Sequence, residues 1–323
     1  MINKPKFAII THFLSKTKDR FCTYQEEKTL EEKFKLIAEI KNITGIEIVY
    51  PYETPKSDEL NILLKKNNLS VSAINCNIKA DPQFISGSLC AHKKNVREKA
   101  IDMMKGAKDY AISVGSNKVH CAPLNDGFDY LFQENYPLAW KYLIEALSEV
   151  CEYKPEIKLF IEYKVSEPRV KCFVDSAAKA LLLCKEIDRP NIGITLDFGH
   201  ALQRGENPSN ELCIIAESGV PFYIHINDNN GKWDWDLITA SYNYLNYVEF
   251  IFWLKEYKYN DFLSSDTSPM RLNVIDTFSA NIHITSKIWE LLDNIDKKQL
   301  KDNMNSGDYG KTLKIIEKNI YKF

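Results

Sequence analysis

Eight short apolar runs, most of them far enough apart for a helix to fit between, constrain this 323-residue sequence more than any other feature. They are FAIITHF (7–13), IEIVY (46–50), VSAINC (71–76), KVHCA (118–122), LFIEY (159–163), IGITLDF (192–198), YIHIN (223–227) and DFLSSD (261–266). Each has the length of a strand and is rich in Ile, Val, Leu, Phe or Thr. Between the first two, Glu26 to Lys41 places Leu30, Phe34, Ile37 and Ile40 three or four residues apart with charges between, the period of a half-buried helix. Asn95 to Val114, Ala139 to Cys151, Ser176 to Ile187, Val248 to Tyr257 and Asp276 to Leu292 read the same way. Alternation of this kind predicts a parallel sheet, and eight repeats predict a closed α/β (β/α)8 TIM barrel. An open doubly wound sheet would want a Gly-rich phosphate turn after its first strand, and residues 14–25 contain none.

No Gly/Ser/Pro-rich linker interrupts the chain, so residues 1–295 are expected to form one barrel domain. Beyond it, TLKIIEKNIY has an apolar stripe at helical spacing. Residues 296–323 are therefore expected to add a C-terminal helix, packed on this barrel or on a neighbouring subunit. The formal net charge of −2 argues against a nucleic-acid partner, which calls for a basic face. No apolar run approaches the ~18 residues needed to span a bilayer, so no membrane partner is expected. The opening MINKPKFAIITHFLSK lacks the apolar core and cleavage site of a secretory signal. Eight scattered cysteines with no CxxC pair are then read as reduced, buried thiols in a cytoplasmic protein.

The chemistry gathers at the ends of the last four runs. LFIEY carries Glu162, IGITLDF carries Asp197, YIHIN carries His225, and DFLSSD ends on Asp266. A parallel barrel sets successive strand ends side by side on one face, so residues distant in sequence converge. Three carboxylates and one imidazole suit Mn2+, Co2+ or Mg2+ better than a structural zinc. A second set overlaps the first: His200 follows Asp197 across a glycine, and GKWDWDL offers Asp234 and Asp236 at an i, i+2 spacing. With Asp197 as a shared bridge these would hold a second cation. Asp228, directly on the exit of the seventh strand, competes for that place. Lys164 lies two residues beyond Glu162 and so points to the same side of an extended segment; the plainer reading makes it a rim lysine paired with Glu167.

FIEYKVSEPR, LDFGH, IHIN followed by WDWDL, and SSDTSP together resemble the xylose isomerase-like TIM barrels, and within them the two-metal aldose–ketose isomerases. The resemblance covers roughly residues 158–270. LNDGFDYLFQENY in the first half is similar to a loop of bacterial isomerases of the rhamnose isomerase type. The resemblance implies that Glu162, Asp197, His225 and Asp266 bind a structural metal, and that Asp197, His200, Asp234 and Asp236 bind a catalytic one. It implies two Mn2+ (or Co2+ or Mg2+) ions per site and a monosaccharide substrate. It also implies a hydride shift between C1 and C2, with Lys164 donating to O1 and Glu162 and Asp266 completing the catalytic set. A homodimer or homotetramer is expected on the same ground.

Two departures from that pattern shape the expectations. Xylose isomerases carry a ring-opening histidine at the end of the second strand, where this chain reads VYPYE with Tyr50 and Pro51. His12, at the end of the first strand, is the available substitute. The fourth strand ends in CAP where a tryptophan wall is expected, which leaves Trp233 or Trp235 to form it. His12, Glu167 and Trp233 are thus the expected substrate contacts. The main alternative is a single-metal ketose 3-epimerase, which sets two opposed Glu side chains about the reacting carbon; here the last strand supplies the shorter Asp266. A barrel endonuclease would want more than the six histidines present, and a non-catalytic sugar-binding barrel would not require two metals.

Overall fold

In the computed structural model, which describes residues 4–321, the eight apolar runs become eight parallel strands. They are β1 (Lys6–Ile10), β2 (Ile43–Tyr50), β3 (Ser70–Cys76), β4 (Lys118–Cys121), β5 (Lys158–Glu162), β6 (Ile192–Asp197), β7 (Phe222–Ile226) and β8 (Phe262–Ser265). Each pairs with its neighbours in sequence, and β8 closes on β1 to complete the TIM barrel. The first run is shorter than expected: after Ile10 the chain turns through a 3-10 helix at Thr11–Leu14 instead of continuing to Phe13.

The surrounding helices are α1 (Leu30–Glu39), α2 (Ser57–Asn67), α3 (Lys94–Ser113), α4 (Tyr136–Glu152), α5 (Ala177–Ile187), α6 (Phe198–Arg204), α7 (Pro208–Glu217), α8 (Tyr244–Glu256) and α9 (Val274–Leu291). Helix α1 starts at a capping box, with Thr29 accepting from the Glu32 amide while the Glu32 side chain takes the Thr29 amide. Its Phe34 and Ile37 are buried against the barrel. Helices α2, α6 and α7 have weaker patterns. Helix α2 buries only Leu60 and Leu64, and α6 is a seven-residue segment starting directly at the end of β6. Over its described residues the C-terminal extension is two helices, α10 (Lys297–Asn305) and α11 (Tyr309–Ile316), the second running on into a π-helical turn at Glu317–Tyr321, instead of the one expected. Ser306 and Gly307 break it, with Gly307 at a left-handed φ of 67°. The pair packs on its own barrel, where Leu300, Met304 and Ile316 share a groove with Phe252, Trp253 and Leu292. No helix among the described residues is long and apolar enough to cross a membrane.

The barrel interior is layered because every second residue of a strand faces inward. Ala73, Phe160 and Tyr223 form an apolar floor with Phe262 against them. Two residues further along those strands come Glu162, His225 and Ser264, so the layer above is polar. Register aligns Asp197 with His225, and His225 with Ser264. Below the floor, Lys118 pairs with Asp261 at 2.5 Å. At the opposite mouth, the buried Asp126 carboxylate accepts from the Ser88, Leu89 and Cys90 amides. A ribbon of Gly127–Phe128, Val170–Cys172 and Ser166–Glu167 then ties the loops after β4 and β5 together.

Candidate metal centre and active-site cavity

The ends of β5 to β8 bring Glu162, Asp197, His225 and Asp266 together, with ligand atoms all within 4.8 Å of one another. His225 Nδ1 lies 3.1 Å from Glu162 Oε1 and 3.1 Å from Asp266 Oδ2. Glu162, Asp197 and His225 are buried; Asp266 is the member turned toward the opening. A second group of Asp197, His200 and Asp234 satisfies the same 4.8 Å limit. Asp197 belongs to both. It also caps α6, its Oδ1 accepting from the His200 amide at 2.8 Å, so the cap fixes where His200 starts its turn. His200 Nδ1 is 2.9 Å from the Tyr163 carbonyl. A carbonyl only accepts, so Nδ1 carries the proton and Nε2 is left facing Asp234 Oδ2, 3.2 Å away.

Around these groups lies a cavity of about 350 Å³, at the small end of the ~300–1,000 Å³ range for small-molecule sites. Lys164 lines it and is bridged to Asp234 at 2.7 Å, and also to Glu167. His12 lines the side under β1, its Nδ1 against Glu53, which Lys33 holds from behind at 2.7 Å. Asp236 lines the cavity but stands outside the second group. Trp233 does not line it: its ring lies beside Trp235, 6.4 Å between centroids, on the loop. The apolar wall comes instead from Ile10, Phe13, Val49, Ala122 and Leu124. Asp228 does not compete for a cation either, since its carboxylate accepts from the Tyr242 and Asn243 amides and from Asn243 Nδ2.

The family model for the xylose isomerase-like TIM barrel matches residues 34–280. This chain belongs to that family. It is 32% identical over 129 residues to an uncharacterized protein of Methanocaldococcus jannaschii, a match spanning 39% of this chain and 42% of that relative, under half its length. Among solved structures, a D-tagatose 3-epimerase-like protein superposes with a TM-score of 0.71 at 22% identity, covering 89% of this chain and 98% of its own. An L-ribulose 3-epimerase gives 0.69 at 15%, covering 90% and 96%. At these identities the likeness is one of fold.

The donor set of this xylose isomerase-like barrel fits hard divalent cations. It is dominated by carboxylate oxygens, and Asp234 Oδ1 is buried without a hydrogen-bond partner among the described residues. The charges tell the same story. Burial, with Glu162, Asp266 and Asp234 nearby, raises the Asp197 carboxyl to about 7 despite His200. Burial also pushes Asp236 well above the usual carboxylate range, helped by Asp234 and Asp266. Burial disfavours the charged form of His200, but Asp197 and Asp234 outweigh it and bring the ring to about 10. Burial would raise Glu162 too, yet His225, His200 and His120 hold it down at about 2. Protons are thus retained among crowded carboxylates, and a dication binding there would displace them.

Gly199, between Asp197 and His200, lies inside α6 with no left-handed φ. Its function is room. A Cβ there would stand 2.4 Å from Asn227 Oδ1 and 2.8 Å from Asn229 Nδ2, and Asn227 Nδ2 in turn donates to Asp197 Oδ2 at 2.9 Å. Gly199→Ala is expected to cost about 1–3 kcal/mol, the usual range for overpacking, read from denaturant midpoints. An unchanged midpoint would show that the asparagines yield freely.

Two residues of the polar interior went unremarked in the sequence. Glu47 of β2 and His120 of β4 are fully buried under Glu162 and His225, with His120 Nε2 2.6 Å from Glu47 Oε1. The available signal was a carboxylate in the middle of IEIVY and an imidazole in the middle of KVHCA, both of which need partners when buried. Of the cysteines, Cys22 is exposed and Cys213 half-buried; the other six are buried as expected.

Proposed function

We propose that this protein is a divalent-metal-dependent monosaccharide isomerase that interconverts an aldose and a ketose by a 1,2-hydride shift. The observation that supports this most is the pair of adjoining buried donor groups sharing Asp197, with Lys164 beside them on the cavity wall. Glu162, Asp197, His225 and Asp266 would hold one cation. Asp197, His200 and Asp234, with Asp236 in reach of the same cavity, would hold the other. Bound there, Mn2+, Co2+ or Mg2+ would supply Lewis-acid polarisation of the substrate oxygens.

The chain's own residues do the rest. Lys164, anchored by Asp234 and Glu167, presents an ammonium to the oxygen on which charge grows. The hydrogen on C2 leaves with its electron pair for C1, the O2 proton is lost, and O1 gains one. The apolar wall of Ile10, Phe13 and Val49 keeps water from the carbon being attacked. His12, its Nδ1 held by Glu53, leaves Nε2 to serve the ring oxygen of a cyclic sugar.

A second reading, a single-metal epimerase, is favoured by the Lys164–Asp234 bridge, which neutralises one donor of the second group. The two differ in the fate of a hydrogen. On the isomerase reading, deuterium at C2 of an aldose substrate stays with the product in ordinary water, and metal analysis finds close to two ions per chain. Washout of the label at a rate near turnover, with one ion per chain, would replace the hydride shift with proton transfer through carboxylates.

A further inference from the structure

Glu47 sits at the centre of the barrel, beneath the proposed cation site, and every polar group around it points a donor-capable atom at it. Oε1 lies 2.6 Å from His120 Nε2. Oε2 lies 2.9 Å from Ser264 Oγ, 3.1 Å from the Tyr223 hydroxyl and 3.3 Å from His225 Nε2. Asn75 Nδ2 completes the shell at 3.5 Å from Oε1. An ionised carboxylate is an acceptor only, so both His120 and His225 must carry a proton on Nε2. For His225 this has a definite consequence: its other nitrogen, Nδ1, is the one lying between Glu162 and Asp266. Facing two carboxylates, Nδ1 also carries a proton until a cation takes its place; with the Nε2 proton kept by Glu47, the ring left behind is the neutral form whose lone pair on Nδ1 can ligate that cation.

We propose that Glu47 is a positioning residue of the metal centre: from the barrel core it holds His225 in the Nε2-protonated tautomer, with Nδ1 turned to the cation. It rests on the metal-dependent reading above, and extends it to a residue two layers from the substrate. His120 is the second anchor. Its ring meets that of His225 edge to face, 4.7 Å between centroids at 84°, and so prevents His225 from rotating about its own axis. Its Nδ1 has no hydrogen-bond partner among the described residues and lies 3.7 Å from Glu162 Oε2. Tyr223 and Ser264 donate from the floor and from β8, which leaves Glu47 no freedom to turn away. Outer partners of this type typically change metal affinity 10–100-fold when removed.

The test compares wild type and Glu47→Gln, a change that keeps shape but presents an amide where the carboxylate took two ring N–H groups. Calorimetric titration with Mn2+ should show affinity for the tighter site falling by about 10–100-fold. A control outside that shell, Asp261→Asn in the pair with Lys118 below the apolar floor, should stay within about threefold of wild type. If Glu47→Gln does not fold, the wild type still decides. Ring 15N shifts of His225 in protein loaded with diamagnetic Mg2+ should show the proton on Nε2 and the metal on Nδ1. Equal Mn2+ affinity in wild type and Glu47→Gln, or a His225 proton on Nδ1, overturns this inference alone. Failure of wild type to bind either ion overturns the metal-dependent reading and this inference with it.

Discussion

Asp266→Asn and Glu162→Gln are each expected to abolish turnover, lowering kcat by roughly 10³-fold or more, while leaving the barrel folded. Each change keeps the side-chain volume and removes one anionic oxygen from the four-residue group. Lewis-acid stabilisation is worth several kcal/mol, and each ~1.4 kcal/mol is tenfold in rate, so losing the cation accounts for a fall of that size. Asp266 is the cleaner of the two. It stands at the edge of the cavity with its side chain 17% exposed, whereas Glu162 at 4% also faces His120 and His200. Steady-state kinetics with saturating Mn2+, alongside circular dichroism, checks both. A folded variant keeping near wild-type kcat would remove that residue from the metal site.

Lys164→Met is expected to reduce kcat by about 10²–10³-fold, the usual worth of a donor aimed at a developing oxyanion, with a much smaller change in KM. Methionine keeps most of the stem and loses the ammonium. Burial works against that charge, but Asp234 and Glu167 outweigh it and hold Lys164 well above the ordinary lysine range. It therefore stays protonated at any pH the enzyme meets, and the variant removes a permanent charge. A raised KM with kcat unchanged would make Lys164 a binding residue instead.

How much of this was legible depends on what each residue has to do. The barrel strands were readable because a strand buried on both sides by helices and core must be continuously apolar, and runs such as IGITLDF are. The candidate ligands at the ends of β5 to β8 were readable because they interrupt that apolarity where the strand stops. Helix α6 was hidden because it begins at the residue directly after the end of β6, so no polar loop separates the two. Trp233 was misplaced for a related reason. Strand periodicity says which side a residue faces, but the loop leaving β7 has no such period, and its path is set by the backbone pairing of Asp228 with Leu237. Glu47 and His120 lie mid-strand, where a single polar residue reads as noise until the strands close and its partners appear.

The carboxylate common to both donor groups carries a thermodynamic consequence. On the two-cation reading, Asp197 cannot give its full charge to both ions, and whichever arrives first leaves the other a poorer and more repulsive site. Linkage makes that penalty reciprocal: the factor by which the first ion weakens the second equals the factor by which the second weakens the first. Because Asp197 also caps α6 and receives Asn227, it is held against swinging toward either ion to relieve the conflict. On that reading the two sites would not empty together: the four-residue group, with one more donor than the group at His200 and Asp234, would keep its cation longer as free metal becomes scarce.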